Sequence, residues 1–292
     1  MIADKIAVIG ERINYGIPRT KTLFESDDMD GLRRLAEAQV ERGAEALDVN
    51  IGPLPAEAME RTVRALQFAV RVPLCLDSTS PDVLRAGIES YDPAKSDGLP
   101  ILNSATESRD EAVFGIRRDR ACRVIILVSE RREGSSCLLN ETAAEAIATA
   151  KRLFSRAMVA GFGPAEIFVD PSTPALACDL KGQANAALET IRRVREDRDL
   201  RDARIVAGLS NLTAGLPAPA RLPLQNAFLT LAARNGLDTI IGDPAKEYRL
   251  LGDDHPDLVL LEDILARKGT DRLKALTSWS IYRNASSKGN AR

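Results

Sequence analysis

Eight short, almost uninterrupted apolar runs recur along this 292-residue chain, and most are followed by a stretch of helical periodicity. The runs are Ile6–Glu11, Ala46–Ile51, Val72–Asp77, Pro100–Ser104, Arg123–Ser129, Ile167–Pro171, Ile205–Asn211 and Thr239–Pro244. Strands that are apolar on both faces belong to a parallel sheet covered on both sides by helices. Helices are predicted near Asp30–Arg42, from Pro53/Pro55 to Val70, Pro81–Ser90, from Glu107, Glu141–Ala160, Gln183–Arg195 and Leu222–Arg234. Arg12–Asp28 and the charged, Ser-rich stretch after Ser129 read as loops. Eight such units and no ninth favour an α/β closed (β/α)₈ (TIM) barrel over an open doubly wound sheet. No G-x-G-x-x-G follows any strand, which removes the main dinucleotide-binding alternative. A barrel of this kind needs about 250 residues, so residues 1–277 are assigned to one barrel and 278–292 to a frayed C-terminal tail ending Ser286-Ser287-Lys288-Gly289-Asn290-Ala291-Arg292.

The formal net charge of -2 leaves no electrostatic footprint for nucleic acid. No apolar run approaches the roughly 20 residues of a membrane span. Met1–Lys5 leads straight into the first strand without a signal-peptide layout, so a cytoplasmic protein is expected. Cys75, Cys122, Cys137 and Cys178 are scattered and form no C-x-x-C pair, which argues against a disulfide framework or a structural zinc site. Histidine is the sharpest exclusion: His255, read as a loop residue, is the sole one. A histidine base, a Ser-His-Asp triad and a multi-His metal site are thereby set aside.

Chemistry then falls to carboxylates, amides and hydroxyls. The third run ends Leu74-Cys75-Leu76-Asp77 and passes directly to Ser80-Pro81, a better helix start than Asp77 itself. Asp77 is therefore free for other work. The other strand ends carry Glu11 and Asn14, Asp48 and Asn50, Asn103 and Ser104, Ser129, Asp170, Ser210 and Asn211, and Asp243. In a parallel barrel all of these converge on one mouth. Carboxylates and Asn amides together, with little positive charge, suit a polar heterocycle that presents ring N–H and amino donors. Mg²⁺ or Ca²⁺ would also use carboxylates, but no strand end offers the Lys or His base of an enolase-type site, and no protein-bound metal is expected.

These segments carry a resemblance. Gly10-Glu11-Arg12-Ile13-Asn14, Leu47-Asp48-Val49-Asn50-Ile51-Gly52-Pro53, Leu74-Cys75-Leu76-Asp77-Ser78-Thr79, Ile101-Leu102-Asn103-Ser104, Val169-Asp170-Pro171, Gly208-Leu209-Ser210-Asn211 and Gly236-Leu237-Asp238 resemble the pterin-binding methyltransferase family. Within it they are most like the methyltetrahydrofolate:corrinoid/iron–sulfur protein methyltransferases. The likeness runs through nearly the whole chain in order.

What the resemblance implies is a dihydropteroate-synthase-like barrel that moves a methyl group between N5 of (methyl)tetrahydrofolate and the cobalt of a corrinoid, in either direction. Asp77, Asn103 and Asp170 would bond the amino-pyrimidine side of the pterin. Asn211 would sit beside N5 and, with Asp170, carry the catalysis; Arg221 would follow the Gly-Leu-Ser-Asn strand. Glu11, Asp48, Asn50 and Ser210 complete the expected pterin site. The folate is a substrate, the corrinoid comes on a partner corrinoid protein or as free cobalamin, and a homodimer is expected. Asp253-Asp254-His255-Pro256-Asp257-Leu258 lacks the Gly of a base-off cobalamin signature, so no cobalamin module is expected in this chain. Two segments depart from the family pattern: Ser104-Ala105-Thr106-Glu107, and the loop Ser129-Glu130-Arg131-Arg132-Glu133-Gly134. The alternatives are a dihydropteroate-synthase-like enzyme, weakened because the eighth strand ends Gly242-Asp243-Pro244 rather than in a phosphate-binding Arg/His pair, and a non-catalytic folate-binding barrel.

Overall fold

The computed structural model describes the backbone of residues 6–289 and the side chains of residues 6–280; the readings placed on Met1–Lys5 and on Asn290–Arg292 lie outside the described residues. Eight parallel strands close into a barrel: β1 (Ala7–Asn14), β2 (Ala46–Asn50), β3 (Leu74–Asp77), β4 (Ile101–Ala105), β5 (Arg123–Leu127), β8 (Ile167–Asp170), β9 (Arg204–Gly208) and β10 (Thr239–Gly242). Around the barrel they run β1-β10-β9-β8-β5-β4-β3-β2, each neighbouring pair parallel. The helices are α1 (Pro18–Glu25), α2 (Met29–Val40), α3 (Ala56–Ala69), α4 (Pro81–Ser90), α5 (Asp110–Gly115), α6 (Ala143–Val159), α7 (Gln183–Glu196), α8 (Leu209–Leu212), α9 (Ala218–Arg234), α10 (Pro256–Ala266) and α11 (Gly269–Gly289). The expected (β/α)₈ barrel is the observed fold.

Side-chain alternation along the strands explains where the mouth gets its chemistry. Ile9, Ala46, Cys75, Ile101, Ile125, Phe168 and Val206, with Ile241 packed against them, form a closed apolar cluster that takes one residue from each barrel strand. This ring is the floor of the barrel interior. Strand side chains repeat every two residues, so the next inward layer is Glu11, Asp48, Asp77, Asn103, Leu127, Asp170, Gly208 and Asp243. Alternate residues such as Leu47, Val49, Leu76 and Val169 face the helices and join the outer core.

Several elements differ from the sequence expectation, each for a local reason. β1 continues to Asn14 and breaks register with β2 between Gly10 and Ile13. At the break the amide of Arg12 finds its partner in Gln39 Oε1 at 2.9 Å, supplied by α2. A Cβ at Gly10 would come within 2.6 Å of that oxygen and displace the Gln39 amide. The supposed loop Arg12–Asp28 contains α1, started by Pro18 at its first turn. The loop after Ser129 is a hairpin, β6 (Glu130–Glu133) paired with β7 (Ser136–Leu139). It turns on Gly134 at φ +60, the positive φ that a two-residue hairpin loop demands. Ser80 holds the N-cap position of α4 but makes no capping bond with its side chain; instead Ser78 Oγ accepts from its amide at 3.1 Å. The helix expected from Glu107 is the short α5. His255, read as a loop residue, caps α10, with Nδ1 accepting from the Asp257 amide at 3.2 Å. The assigned tail boundary at Thr277 falls inside α11, whose Leu276 and Trp279 are buried against the barrel.

Candidate active site

Two interlocked amide–carboxylate pairs cross the mouth between β2, β3 and β4. Asn50 Nδ2 donates to Asp77 Oδ2 at 2.8 Å, and Asn103 Nδ2 donates to Asp48 Oδ1 at 3.2 Å. Register places Asn50 opposite Asp77 and Asp77 opposite Asn103 on one rung across three strands, with Asp48 one inward position below Asn50, opposite Cys75. Asn50 Oδ1 also accepts from the Gly52 amide at 2.9 Å, which fixes which way its amide points. Asp48 is buried, and the Cys75 thiol beneath it donates to its carboxyl. Burial pushes Asp48 well above the ordinary carboxylate range, and the neighbouring Asp77 charge pushes it further. Asp77 is also raised by burial, opposed by the Asn50 bond and by the Arg109 guanidinium. Two carboxyls that interact electrostatically in this way titrate together.

Across the barrel Asp170 ends β8. Its Oδ1 accepts the Ser172 amide at 2.8 Å, with Ser172 in the left-handed region at φ +64. Burial raises the Asp170 carboxyl to about 6. Glu11 accepts from Ser210 Oγ at 2.7 Å and is likewise raised, chiefly by burial.

Asn211 is not a strand residue. β9 stops at Gly208, and Leu209–Leu212 form the single turn α8. Asn211 is exposed there, and its side chain makes no hydrogen bond among the described residues. Gly208 leaves it room, since the Asn211 amide nitrogen lies 3.1 Å from where a Cβ at 208 would stand. The structure thus brings Glu11, Asp48, Asn50, Asp77, Asn103, Asp170 and Ser210 into one mouth, with Asn211 at its rim. Arg221 is not brought in. α9 begins at Ala218, ahead of it, and the exposed guanidinium turns back to donate from Nε to the Leu216 carbonyl at 2.8 Å.

The expectation of little positive charge is corrected by three cations. Arg12 Nη1 pairs with Asp243 at 3.0 Å. Lys246 Nζ bonds Gln225 Oε1 at 3.3 Å and acts on Glu11. Arg109 clamps Ser104, from Nε to the carbonyl at 2.9 Å and from Nη2 to Oγ at 3.1 Å. Among the described residues no group of three or more His, Cys, Asp or Glu is arranged to hold a metal ion. Nor, among them, is any helix long and apolar enough to cross a membrane.

A mouth whose inward layer is acceptor-rich carboxylate and amide, above an apolar floor, can accept hydrogen bonds from a flat donor-bearing ring. Residues 18–243 match the pterin binding enzyme family. The chain is 30% identical over 266 residues to the methylcorrinoid:tetrahydrofolate methyltransferase of Eubacterium limosum, covering 89% of this chain and 93% of that one. The chain therefore belongs to the pterin-binding methyltransferase family. Its fold is also that of dihydropteroate synthases. The Stenotrophomonas maltophilia enzyme superposes with a TM-score of 0.59 at 19% identity, over 94% of this chain and 93% of its own. The Burkholderia cenocepacia enzyme gives 0.58 at 20%, over 98% and 94%. At those identities the likeness concerns the barrel alone.

Proposed function

We propose that this enzyme carries a methyl group from a methylated corrinoid, held by a separate protein, to N5 of tetrahydrofolate, and can run the reverse. The observation that carries the reading is the acceptor ring of Asp77, Asn103 and Asp170, with a free amide, Asn211, at its rim. The full-length likeness to a relative named for this reaction supports both the substrates and the direction.

The chemistry follows from what N5 needs. In the forward direction the N5 lone pair forms the bond to the methyl carbon, cobalt leaves with the electron pair as Co(I), and the N5 proton departs to solvent. In reverse a tertiary amine is a poor leaving group, so N5 must take on a proton as its methyl departs. Both directions pass through a positively charged N5–H. The carbonyl oxygen of the Asn211 amide can accept that hydrogen bond, which strengthens as charge develops and so stabilises the transition state more than the ground state. Half-buried Asp170 and Asp77 add negative potential in a partly desolvated site. Their carboxylates hold the amino-pyrimidine edge and fix the ring.

Mixing the protein with Co(I) cobalamin and methyltetrahydrofolate should produce the methylcobalamin spectrum, and methylcobalamin with tetrahydrofolate should discharge it. Absence of both changes, with tetrahydrofolate still bound, would leave a binding barrel and sink the methyltransferase reading. Binding also predicts a pH dependence. The ring N–H and amino donors need Asp170 ionised, and burial holds its carboxyl at about 6. Tetrahydrofolate affinity should therefore rise with pH up to about 6 and level off above, while Asp170→Asn flattens that rise. Calorimetric titration from pH 5 to 8 checks it.

A further inference from the structure

We propose that Arg109 is a positioning residue of the pterin site, holding Asp77 as the ionised member of its pair with Asp48. The inference rests on the pterin reading of the mouth given above, and it assigns the pair's two carboxyls different roles: Asp77 as acceptor toward the substrate, Asp48 as the protonated brace beneath.

The geometry begins with the strand. Asn103 is the register partner of Asp77, and Arg109 clamps Ser104, the residue after Asn103, at two points, carbonyl and hydroxyl. Two bonds to one residue, from Nε and from Nη2, fix a planar guanidinium in orientation as well as position. The cation is therefore held against the end of β4, within electrostatic reach of Asp77, and half-buried, where a charge is poorly screened. Arg109 is the cation that acts on Asp77 among the described residues.

The surroundings make the bias one-sided. Asp77 receives Asn50 Nδ2 and the field of Arg109, both of which favour its charged form. Asp48 is buried more deeply, and although Asn103 Nδ2 and the Cys75 thiol donate to it, the charges of Asp77 and Glu11 oppose its ionisation. Arg123 acts on Cys75 from below. Glu130, at the start of β6, draws on the same guanidinium. Two carboxyls whose charges act on each other out of bulk water cannot both ionise freely. With a cation on one side only, the proton is left on Asp48 and the negative charge on Asp77. A neutral Asp77 would present an O–H donor to a ring edge that itself donates, and two donors facing each other repel.

The test follows the carboxyls directly, by carbon NMR titration of protein labelled at its aspartate carboxyl carbons. The Asp77 and Asp48 signals are assigned with Asp77→Asn and Asp48→Asn. Arg109→Gln, which keeps an amide able to bond Ser104, should move the Asp77 midpoint upward by about one pH unit, equivalent to a tenfold change in its ionisation constant. Its tetrahydrofolate affinity should fall several-fold at pH 6, and Arg109→Lys should restore most of both. Glu130→Gln, which removes the competitor for the guanidinium, should move the Asp77 midpoint down; it keeps the proposal testable should Arg109→Gln fail to fold. An Asp77 midpoint that stays put in Arg109→Gln, or in Glu130→Gln where only that variant folds, overturns the assignment. A midpoint that moves equally in Arg109→Gln and Arg109→Lys also overturns it, since only the clamp on Ser104 would then matter. The titration needs no folate: wild-type protein that fails to bind tetrahydrofolate sinks the pterin reading, whereas unmoved midpoints in a protein that binds it sink the role of Arg109 alone.

Discussion

Asn211→Ala is expected to lower methyl transfer roughly 10²–10³-fold, the usual cost of removing one preorganised transition-state hydrogen bond, while tetrahydrofolate affinity stays within about threefold of wild type. The separation follows from position. Asn211 stands on the one-turn α8, exposed, with its side chain unbonded among the described residues, so truncation breaks no contact within the fold. Ground-state N5 carries little positive charge, and the amide has little to bind until methyl transfer is under way. A contact made only in the transition state lowers kcat and kcat/KM together and spares binding. Asp77 gives the opposite pattern. It sits in the ring, bonded to Asn50, and on the proposed reading meets the substrate's donors, so Asp77→Ala should abolish pterin binding outright. Single-turnover rates beside calorimetric titration of both variants decide the matter. Equal losses of binding and rate in Asn211→Ala would mean that the amide binds substrate and transition state alike, and its assignment to N5 charge would fail.

The carboxylate ring was legible because strands have a period of two. Once Ile9, Cys75, Ile101 and Phe168 are the floor, Glu11, Asp77, Asn103 and Asp170 must lie one layer above them, and short apolar runs with polar ends announce both layers. Asn211 reads from the sequence as the end of a strand but lies on α8, because Gly208-Leu209 continues the apolar run and nothing local marks the break. Cations were the larger omission. Arg12, Arg109 and Lys246 come from the far end of β1, the turn before α5 and the segment after β10, and long side chains reach back to a site that their sequence neighbours do not indicate. The hairpin hid for a different reason. Glu130-Arg131-Arg132-Glu133 has no apolar alternation, and the one available signal was Gly134-Ser135 as a two-residue turn. Its anchor was invisible as well: buried Glu107 accepts the Arg132 amide at 2.6 Å and pairs with Arg152 of α6. The segment Ser104–Glu107 and the loop after Ser129, which depart separately from the family pattern, thus meet in one contact. At the C-terminus, Leu273-x-x-Leu276-x-x-Trp279 keeps helical spacing past Thr277, which is why α11 does not stop where composition turns polar.

Arg272→Ala should destabilise the fold by about 3–5 kcal/mol, the range for breaking a buried ion pair from one side. Arg272 lies on α11 and Asp179 in the loop between β8 and α7; their pair, at 2.6 Å, is 3% and 0% exposed at the side chains. The guanidinium also bonds Asn185 Oδ1 at 2.8 Å and the carbonyls of Leu265 and Arg267, so its loss strands acceptors as well as a charge. Asp179 meanwhile accepts the amides of Gly182, Gln183 and Ala184, the first turn of α7. That helix terminus partly compensates an unpaired Asp179, which places Arg272→Ala near the lower end of the range. Asp179→Ala should cost more, since it leaves a buried cation without its countercharge and three backbone donors without their acceptor. Urea unfolding of both variants measures the difference; losses below about 1 kcal/mol, or the reverse order, would show that water repairs the site. The consequence reaches the mouth, because the chain from Asp170 to Asp179 spans the mouth carboxylate and this anchor. In whatever fraction of Arg272→Ala remains folded, tetrahydrofolate affinity should fall while the Asp77 and Asp48 pair, on the opposite strands, keeps its titration.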